Sequence, residues 1–231
     1  MKETILLTGA IRPSWPVQRN DSVVRLMDYL CAIRRWLNVS TVEQVIYCDA
    51  SGCTIPEKVF NSEKFESLSF DAATSARQFE AGRAEAETLA FVLEKSRFRF
   101  DAFFKCTGRL FVNNFVQIQQ EITRMPENPL FLRPWYLAGW ADTRFFRITT
   151  DQFQQWIVPR LGELTGRAHN GHVIESLFFE YLDRASPFSE PILAGHSGHT
   201  NQPYHTEYSP REKEQAIGIM EHFGLEIFGI H

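Results

Sequence analysis

The sequence predicts an α/β protein with a central, mostly parallel sheet flanked by helices. Two observations carry that expectation. Through the first half, short apolar runs alternate with longer segments of helical periodicity, a pattern that implies parallel strands joined by right-handed crossovers. The predicted strands also end in small or polar residues: Thr8-Gly9-Ala10, then Cys48-Asp49-Ala50-Ser51-Gly52, then Lys105-Cys106-Thr107-Gly108-Arg109. Open α/β sheets bind ligands at the carboxyl ends of their strands, so these three stretches are where function is expected.

"TILLTGAI" (4–11), rich in apolar and β-branched residues and closed by Arg12-Pro13, reads as a buried first strand. Asn20-Asp21-Ser22 offers a helix cap, and Val23, Leu26, Leu30, Ile33 and Leu37 then recur at helical spacing. "VEQVIYCDASG" (42–52) is the second strand, "GRAEAETLAFVLEKS" (82–96) a helix and "FDAFFKCT" (100–107) the third strand. "PLFLRPW" and "TRFFRITT" are shorter strand candidates. "DQFQQWIVPRLGEL" and "GHVIESLFFEYL" read as helices, with Pro159 breaking the first. "SPREKEQAIGIMEHFG" is a terminal helix with Ser209 as cap and Pro210 at its first position. No repeat or low-complexity tract interrupts the chain. The expectation is one domain over 1–231, with a nucleotide-binding half at 1–125 and an acceptor-side, more helical half at 126–231.

With 231 residues, 44% of them hydrophobic, the chain can bury a sizeable core, and 20 phenylalanines predict an aromatic-rich core or an apolar face. A net charge of −4 argues against a nucleic-acid partner. Cys31, Cys48, Cys53 and Cys106 form no C-x-x-C pair and read as reduced thiols of a cytosolic protein. No stretch approaches transmembrane length, and the amino terminus lacks the apolar core of a signal peptide.

Lys105 and Arg109 flank Gly108 at a strand end. Arginine offers a planar fork of donors, lysine a point charge, and glycine a close backbone approach, which together suit a phosphate or diphosphate; a pair of surface cations is the plain alternative. Neither a P-loop nor a G-x-G-x-x-G fingerprint occurs. Asp49 suits a ribose or base edge, or else an Asx-turn with Ser51 and Gly52. Glu85, with Glu87, sits near the predicted start of its helix, where acids are stabilised by the dipole, while Arg83 beside them points towards an anion. Glu175 lies among Val173, Ile174, Leu177 and Phe178; buried there it suits a general base, and otherwise it faces the polar side of its helix. Five of the seven histidines, His169, His172, His196, His199 and His205, fall in one region. Without an H-E-x-x-H or a nearby cysteine, "GHSGHTNQPYH" reads as a loop that closes over substrate rather than a zinc site. Trp135, Tyr136 and Trp140 form an aromatic cluster open to sugar stacking, lipid contact or ordinary core packing.

"FFKCTGRLFVNNF", preceded by "GRAEAETLAFVLEKS" and followed by "ADTRFFRITTDQF", resembles small bacterial glycosyltransferases of the GT-A type that build lipopolysaccharide, O-antigen or capsule. The resemblance runs from about residue 4 to 205 and includes the K-x-T-G-R segment, a later helix with Glu175 and the loop "AGHSGHTNQPY". It implies transfer of a sugar from a nucleotide-activated donor to a saccharide or lipid-linked saccharide acceptor. Gly9, Ala10 and Arg12 would lie near base and ribose. Asp49, Ser51, Glu85, Thr107 and Gly108 would contact the donor, and His196, Ser197, Gly198 and Tyr204 would belong to the acceptor side or its loop. Glu175 would take the acceptor's proton. The class normally holds the diphosphate through a metal bound by D-x-D, and this chain has no D-x-D. The expectation is therefore a metal-independent enzyme without cofactor, in which Lys105 and Arg109 supply fixed positive charge. It would act in the cytoplasm, with room for peripheral association at the inner membrane face. Two other classes remain open: a non-catalytic sugar- or nucleotide-binding or docking module of a polysaccharide assembly system, and, ranked lower, a nucleotidyltransferase.

Overall fold

The computed structural model describes residues 3–135, 139–166 and 172–231. In chain order the elements are β1 (Glu3–Gly9), α1 (Ser22–Leu37), β2 (Val42–Asp49), β3 (Phe65–Ser69), α2 (Ala73–Lys95), β4 (Ala102–Thr107), β5 (Phe111–Val112), α3 (Phe115–Thr123), β6 (Leu130–Phe131), β7 (Pro134–Trp135), β8 (Trp140–Ala141), β9 (Phe145–Thr149), α4 (Thr150–Gln152), α5 (Ile174–Phe179), β10 (Ala185–Ser186), β11 (Leu193–Ala194) and α6 (Pro210–Phe223). Seven strands form the main sheet in the order β10-β6-β9-β4-β1-β2-β3. Within it β9 runs antiparallel to both β4 and β6, and the remaining pairs are parallel. The expected α/β class, a mostly parallel sheet flanked by helices, is what the structure shows.

Both faces of the sheet are buried, and the two-residue period of a strand sorts the side chains between them. Ile5, Leu7, Val45, Tyr47, Phe104, Cys106 and Phe145 face one core with residues of α1, α3 and α6. Leu6, Ile46, Cys48, Phe103, Phe146 and Ile148 face a second core with residues of α2 and α5. Lys105 falls on this second face, by the same alternation that buries Phe103 there.

Helix α1 is capped as expected. The Asp21 carboxylate accepts from the backbone N–H groups of Val23 (2.8 Å) and Val24 (2.9 Å). Leu26, Tyr29, Leu30, Ile33 and Trp36 make its buried stripe, each worth about 1.5–3 kcal/mol of transfer from water. The stripe is rotated from the expected one: Val23 is largely exposed and Leu37 is only partly buried. In α6 the Ser209 hydroxyl and Glu212 form a reciprocal capping box, with Pro210 at the first position.

Three elements depart from the sequence reading. Strand β3, with Glu66, Ser67 and Ser69 among its five residues, lacked a local signal. Helix α2 begins nine residues before Gly82. Asp71 accepts from the Ala73 N–H at 2.9 Å and starts it. Gly82 is an interior close-packing position, where a Cβ would meet Ile174 at 3.1 Å. The segment after β9 does not continue as an α-helix. It widens to π-type turns over Phe153–Ile157 and tightens to 3-10 turns over Val158–Glu163, with Pro159, which lacks an N–H, at the change.

All four cysteines are buried and unpaired. Of the aromatic cluster, the Trp135 side chain and Tyr136 lie outside the described residues, as does His169. No described helix is long and apolar enough to cross a membrane.

Candidate functional site

A cavity of about 400 Å³ opens at the carboxyl ends of β1 and β4. Its floor is Thr8, Gly9 and Ala10, and Thr107 and Arg109 continue it. Because β9 is antiparallel, its entry segment lies beside the exit of β4, which brings Thr143 and Arg144 to the same edge. Helix α2 contributes Glu85, α5 contributes Glu175, and the C-terminal loop contributes Gly198 and Tyr204. Both halves of the chain therefore line one cavity.

Lys105 is not an open cation. Its side chain is 1% exposed and lies under the cavity rather than in it. The ammonium donates to the Thr143 carbonyl at 2.5 Å and to the Thr107 hydroxyl at 3.4 Å, and it is ion-paired with Glu85. Glu85 also accepts from the Thr8 hydroxyl at 2.8 Å. Buried on the α2 side of the sheet, the lysine needed a counter-charge, and Glu85 is that charge. Glu85 accordingly sits mid-helix, bonded to two strands, and not in a first turn. Arg83 pairs with Glu87 at 2.8 Å and stacks over Phe79 at 4.2 Å, so it does not point at an anion in the cavity.

Arg109 does line the cavity. Its Nε donates to the His196 carbonyl at 2.8 Å, and among the described residues no carboxylate pairs with it. Gly198 makes room for it: a Cβ there would meet Nη2 at 2.8 Å. A second arginine, which the sequence reading missed, joins the lining. Arg25 is 2% exposed, and its guanidinium donates to the Ala10 carbonyl (2.6 Å), the Arg19 carbonyl (3.0 Å) and the Tyr29 hydroxyl (2.9 Å). All three partners are neutral. The nearby carboxylate of Asp28 is taken bidentately by Arg19, at 2.5 and 2.8 Å. Arg25 thus brings a cavity-lining positive charge with no carboxylate partner among the described residues. In the sequence it passes for the polar face of an amphipathic helix.

Asp49 and Ser51 are spent on the fold, and the Asx-turn alternative describes them. Asp49 is fully buried and accepts from the Ile11, Ser51 and Cys53 N–H groups and from the Tyr47 and Ser51 hydroxyls. Burial pushes its carboxyl up, while these donors hold it down. The Ser51 hydroxyl accepts from the Arg12 N–H at 3.0 Å. The pair pins the loop after β1 and stands outside the cavity lining; the Arg12 residue is exposed and lies outside it as well.

Gly108 is also outside the lining. Its N–H donates to the Thr8 carbonyl at 2.7 Å, and a Cβ would lie 2.9 Å from that oxygen. Gly9 faces the Tyr29 ring, 2.7 Å from where a Cβ would stand. The close approach both glycines permit is to Tyr29 and Thr8. Gly9→Ala is expected to cost about 1–3 kcal/mol by overpacking against this buried ring, a drop of roughly 2–12 °C in thermal denaturation; an unchanged midpoint would show that the ring yields freely.

Glu175 faces the cavity, half-buried, with the Thr143 hydroxyl donating to it at 3.4 Å. Burial pushes its carboxyl up and the Glu85 carboxylate adds to the rise; the residue's own backbone, Lys105 and Thr143 act the other way. Thr143 links the two sides, its carbonyl on Lys105 and its hydroxyl on Glu175.

In the C-terminal loop, Gly198 and Tyr204 line the cavity, with Arg144 over the Tyr204 ring at 5.1 Å. His196 and Ser197 do not. The buried His196 holds Arg109 through its carbonyl, and burial and Arg19 pull its imidazole down. Ser197 turns the loop, its N–H donating to the Gln202 carbonyl at 2.8 Å. His205 accepts from the Leu193 N–H at 3.0 Å. Trp15, His199 and Trp140 complete the rim. The sequence reading missed Trp15, although a tryptophan between Pro13 and Pro16 just after the first strand was a usable signal.

The donor set does not fit the divalent metal that the GT-A resemblance implies. Glu85 is neutralised by Lys105, Asp49 has its donors, and among the described residues no group of three or more His, Cys, Asp or Glu is placed to hold an ion.

No protein-family model and no curated protein matches the chain. Among solved structures it is similar to the inositol-1-phosphate CTP transferase from T. maritima, at 13% identity over 96% of this chain and 97% of that one, with a TM-score of 0.48. It is also similar to CMP:2-keto-3-deoxy-manno-octonic acid synthetase complexed with CTP, at 12% identity over 95% and 100%, with a TM-score of 0.44.

Proposed function

We propose that this protein is a nucleotide-sugar-dependent glycosyltransferase that extends a saccharide acceptor in bacterial surface-polysaccharide assembly. One observation carries the reading. A single cavity at the strand ends holds two arginines that have no carboxylate partner among the described residues, Arg25 and Arg109, together with a half-buried carboxylate, Glu175. The positive side suits the diphosphate of a sugar nucleotide, which would supply Arg25 with a counter-charge. The carboxylate suits the proton of an attacking hydroxyl.

In this reaction the acceptor oxygen forms a bond to the anomeric carbon of the donor sugar. The bond from that carbon to the diphosphate oxygen breaks, and its electron pair leaves on the nucleoside diphosphate. Glu175 receives the hydroxyl proton. Arg109 and Arg25, fixed before the reaction, stabilise the charge that accumulates on the leaving group. Lys105 takes the supporting role: it holds Glu85 and Thr143, and through Thr143 the wall on which Glu175 stands. The acceptor is a saccharide, free or lipid-linked, with the chain acting on the cytoplasmic side.

A melting-point screen over UDP-, GDP-, CMP- and dTDP-linked sugars, with and without manganese, tests the reading. A nucleotide present at 100 times its Kd stabilises by about 2.7 kcal/mol, a rise of roughly 5–10 °C for a chain of this length. Indifference to every nucleotide returns the chain to the class of non-catalytic binding modules. CTP with a sugar phosphate separates nucleotidyl from glycosyl transfer. Activity that is lost in EDTA and restored by manganese overturns metal independence. Arg109→Ala is expected to weaken binding of the stabilising nucleotide by about 10–100-fold, the worth of its charge-assisted hydrogen bonds; titration of the variant with unchanged affinity would remove Arg109 from the donor site.

A further inference from the structure

A second hollow, of about 680 Å³, adjoins the first. The two share Trp15, Ala81, Gly82, Glu175 and His199, so Glu175 stands at their junction. The second hollow has its own chemistry. Trp15 and Phe79 give it aromatic surface, and Arg77, Arg83 and His172 line it. Arg83 is compensated by Glu87, and His172 lies 3.3 Å from Glu180. Arg77 is exposed and, among the described residues, has no carboxylate within ion-pair distance. Among the described lining residues Glu175 is the one carboxylate.

In an inverting transfer the base must reach the acceptor hydroxyl from the side away from the leaving diphosphate. Arg25 and Arg109, which have no carboxylate partner among the described residues, mark the leaving-group side of the first cavity. A base at the junction therefore reaches an acceptor that arrives through the second hollow. We propose that this hollow is the acceptor subsite and that it takes a saccharide bearing an anionic group. The sugar ring stacks on Trp15, Arg77 holds a carboxylate or phosphate, and a ring hydroxyl is presented to Glu175. The assignment rests on the glycosyl-transfer reading of Glu175.

Ligand-observed NMR titration of the intact protein with glucuronic acid, glucose 1-phosphate and glucose tests it, with UDP as the control for the first cavity. At least one of the two anionic sugars is expected to bind about tenfold or more tighter than glucose. The two anionic arms tell carboxylate from phosphate. Arg77→Ala should bring the anionic sugar to the level of glucose, and Arg77→Lys should recover part of the difference. UDP binding should be unchanged in both variants. Equal binding of all three sugars, an Arg77→Ala variant that binds as the parent does, or displacement of the sugar by UDP overturns the subsite. If no nucleotide binds while an Arg77-dependent anionic sugar does, the donor reading fails, and the hollow stands as an anionic-sugar site but not as an acceptor subsite. If a nucleotide binds and no sugar depends on Arg77, the subsite alone falls.

Discussion

Glu175→Gln is expected to lower kcat by about 10²–10⁴-fold while leaving nucleotide affinity near that of the parent. Glutamine keeps the size of the side chain and an oxygen for the Thr143 hydroxyl, so the cavity wall at α5 should hold its shape. It cannot take a proton from the acceptor. The pH dependence provides an independent check. Burial and the Glu85 carboxylate raise the pKa of Glu175, and only its ionised form is a base. The kcat/KM of the parent should therefore rise with pH through that raised pKa and then level, and the limb should vanish in the residual activity of the variant. Stability should move the opposite way. A carboxyl whose folded-state pKa is raised contributes stability that is fully present below its unfolded value, about 4.3, and is lost as pH rises through the folded value. Glu175→Gln should accordingly melt higher than the parent at neutral pH, with the gap closing below about pH 4. Full turnover by the variant would place the base elsewhere or make the reaction a retaining one.

Lys105→Met is expected to cost about 3 kcal/mol, because it removes one partner of a buried ion pair and leaves the other. For a chain of this length that is a fall of roughly 6–12 °C in melting point. Methionine fills a similar volume beside Phe146, so lost packing contributes little. What remains is the Glu85 carboxylate, bonded to the Thr8 hydroxyl and short of its counter-charge. The double variant Lys105→Met with Glu85→Gln should recover much of the loss, and the coupling in that double-mutant cycle measures the pair. The same variant separates two roles for Lys105. A support beneath the cavity predicts nucleotide affinity within about threefold of the parent when measured well below the melting point, whereas a direct phosphate ligand predicts a loss of tenfold or more. Little change in melting point, with a large loss of affinity, would restore Lys105 to the donor site.

These two residues show how far a sequence carries the argument. Strands β1, β2, β4, β6 and β9, with α1 and α6, were legible because their signals are local: apolar and β-branched runs, the cap at Asp21, Ser209 followed by Pro210; the polar β3 was not. The strand ends, and with them the position of the cavity, followed from topology. The partner of Lys105 was not legible, since Glu85 lies 20 positions upstream and only the packing of α2 on the sheet brings the two together. Gly82 misled for a related reason. Taken alone a glycine suggests a break, but here it lets α2 approach Ile174. Asp49 had two local readings, and burial against the loop after β1 decides for the structural one. Arg25 gave no signal, because the groups that bury it, the Ala10 and Arg19 carbonyls and the Tyr29 hydroxyl, come from three places in the chain.

The four native thiols are expected to react slowly with electrophiles. Each is buried, which limits access to all four, and burial lifts the Cys31 and Cys106 thiols to about 12, with Cys48 higher still, so those three hold almost no thiolate at neutral pH. A maleimide dye would thus find a single target in a Glu63→Cys or Asp101→Cys variant. Both positions are exposed, just ahead of β3 and β4, at the sheet edge opposite the cavity. Fluorophores there would track substrate capture by polarisation or energy transfer without trespassing on the chemistry and without first stripping the parent of its own sulfur.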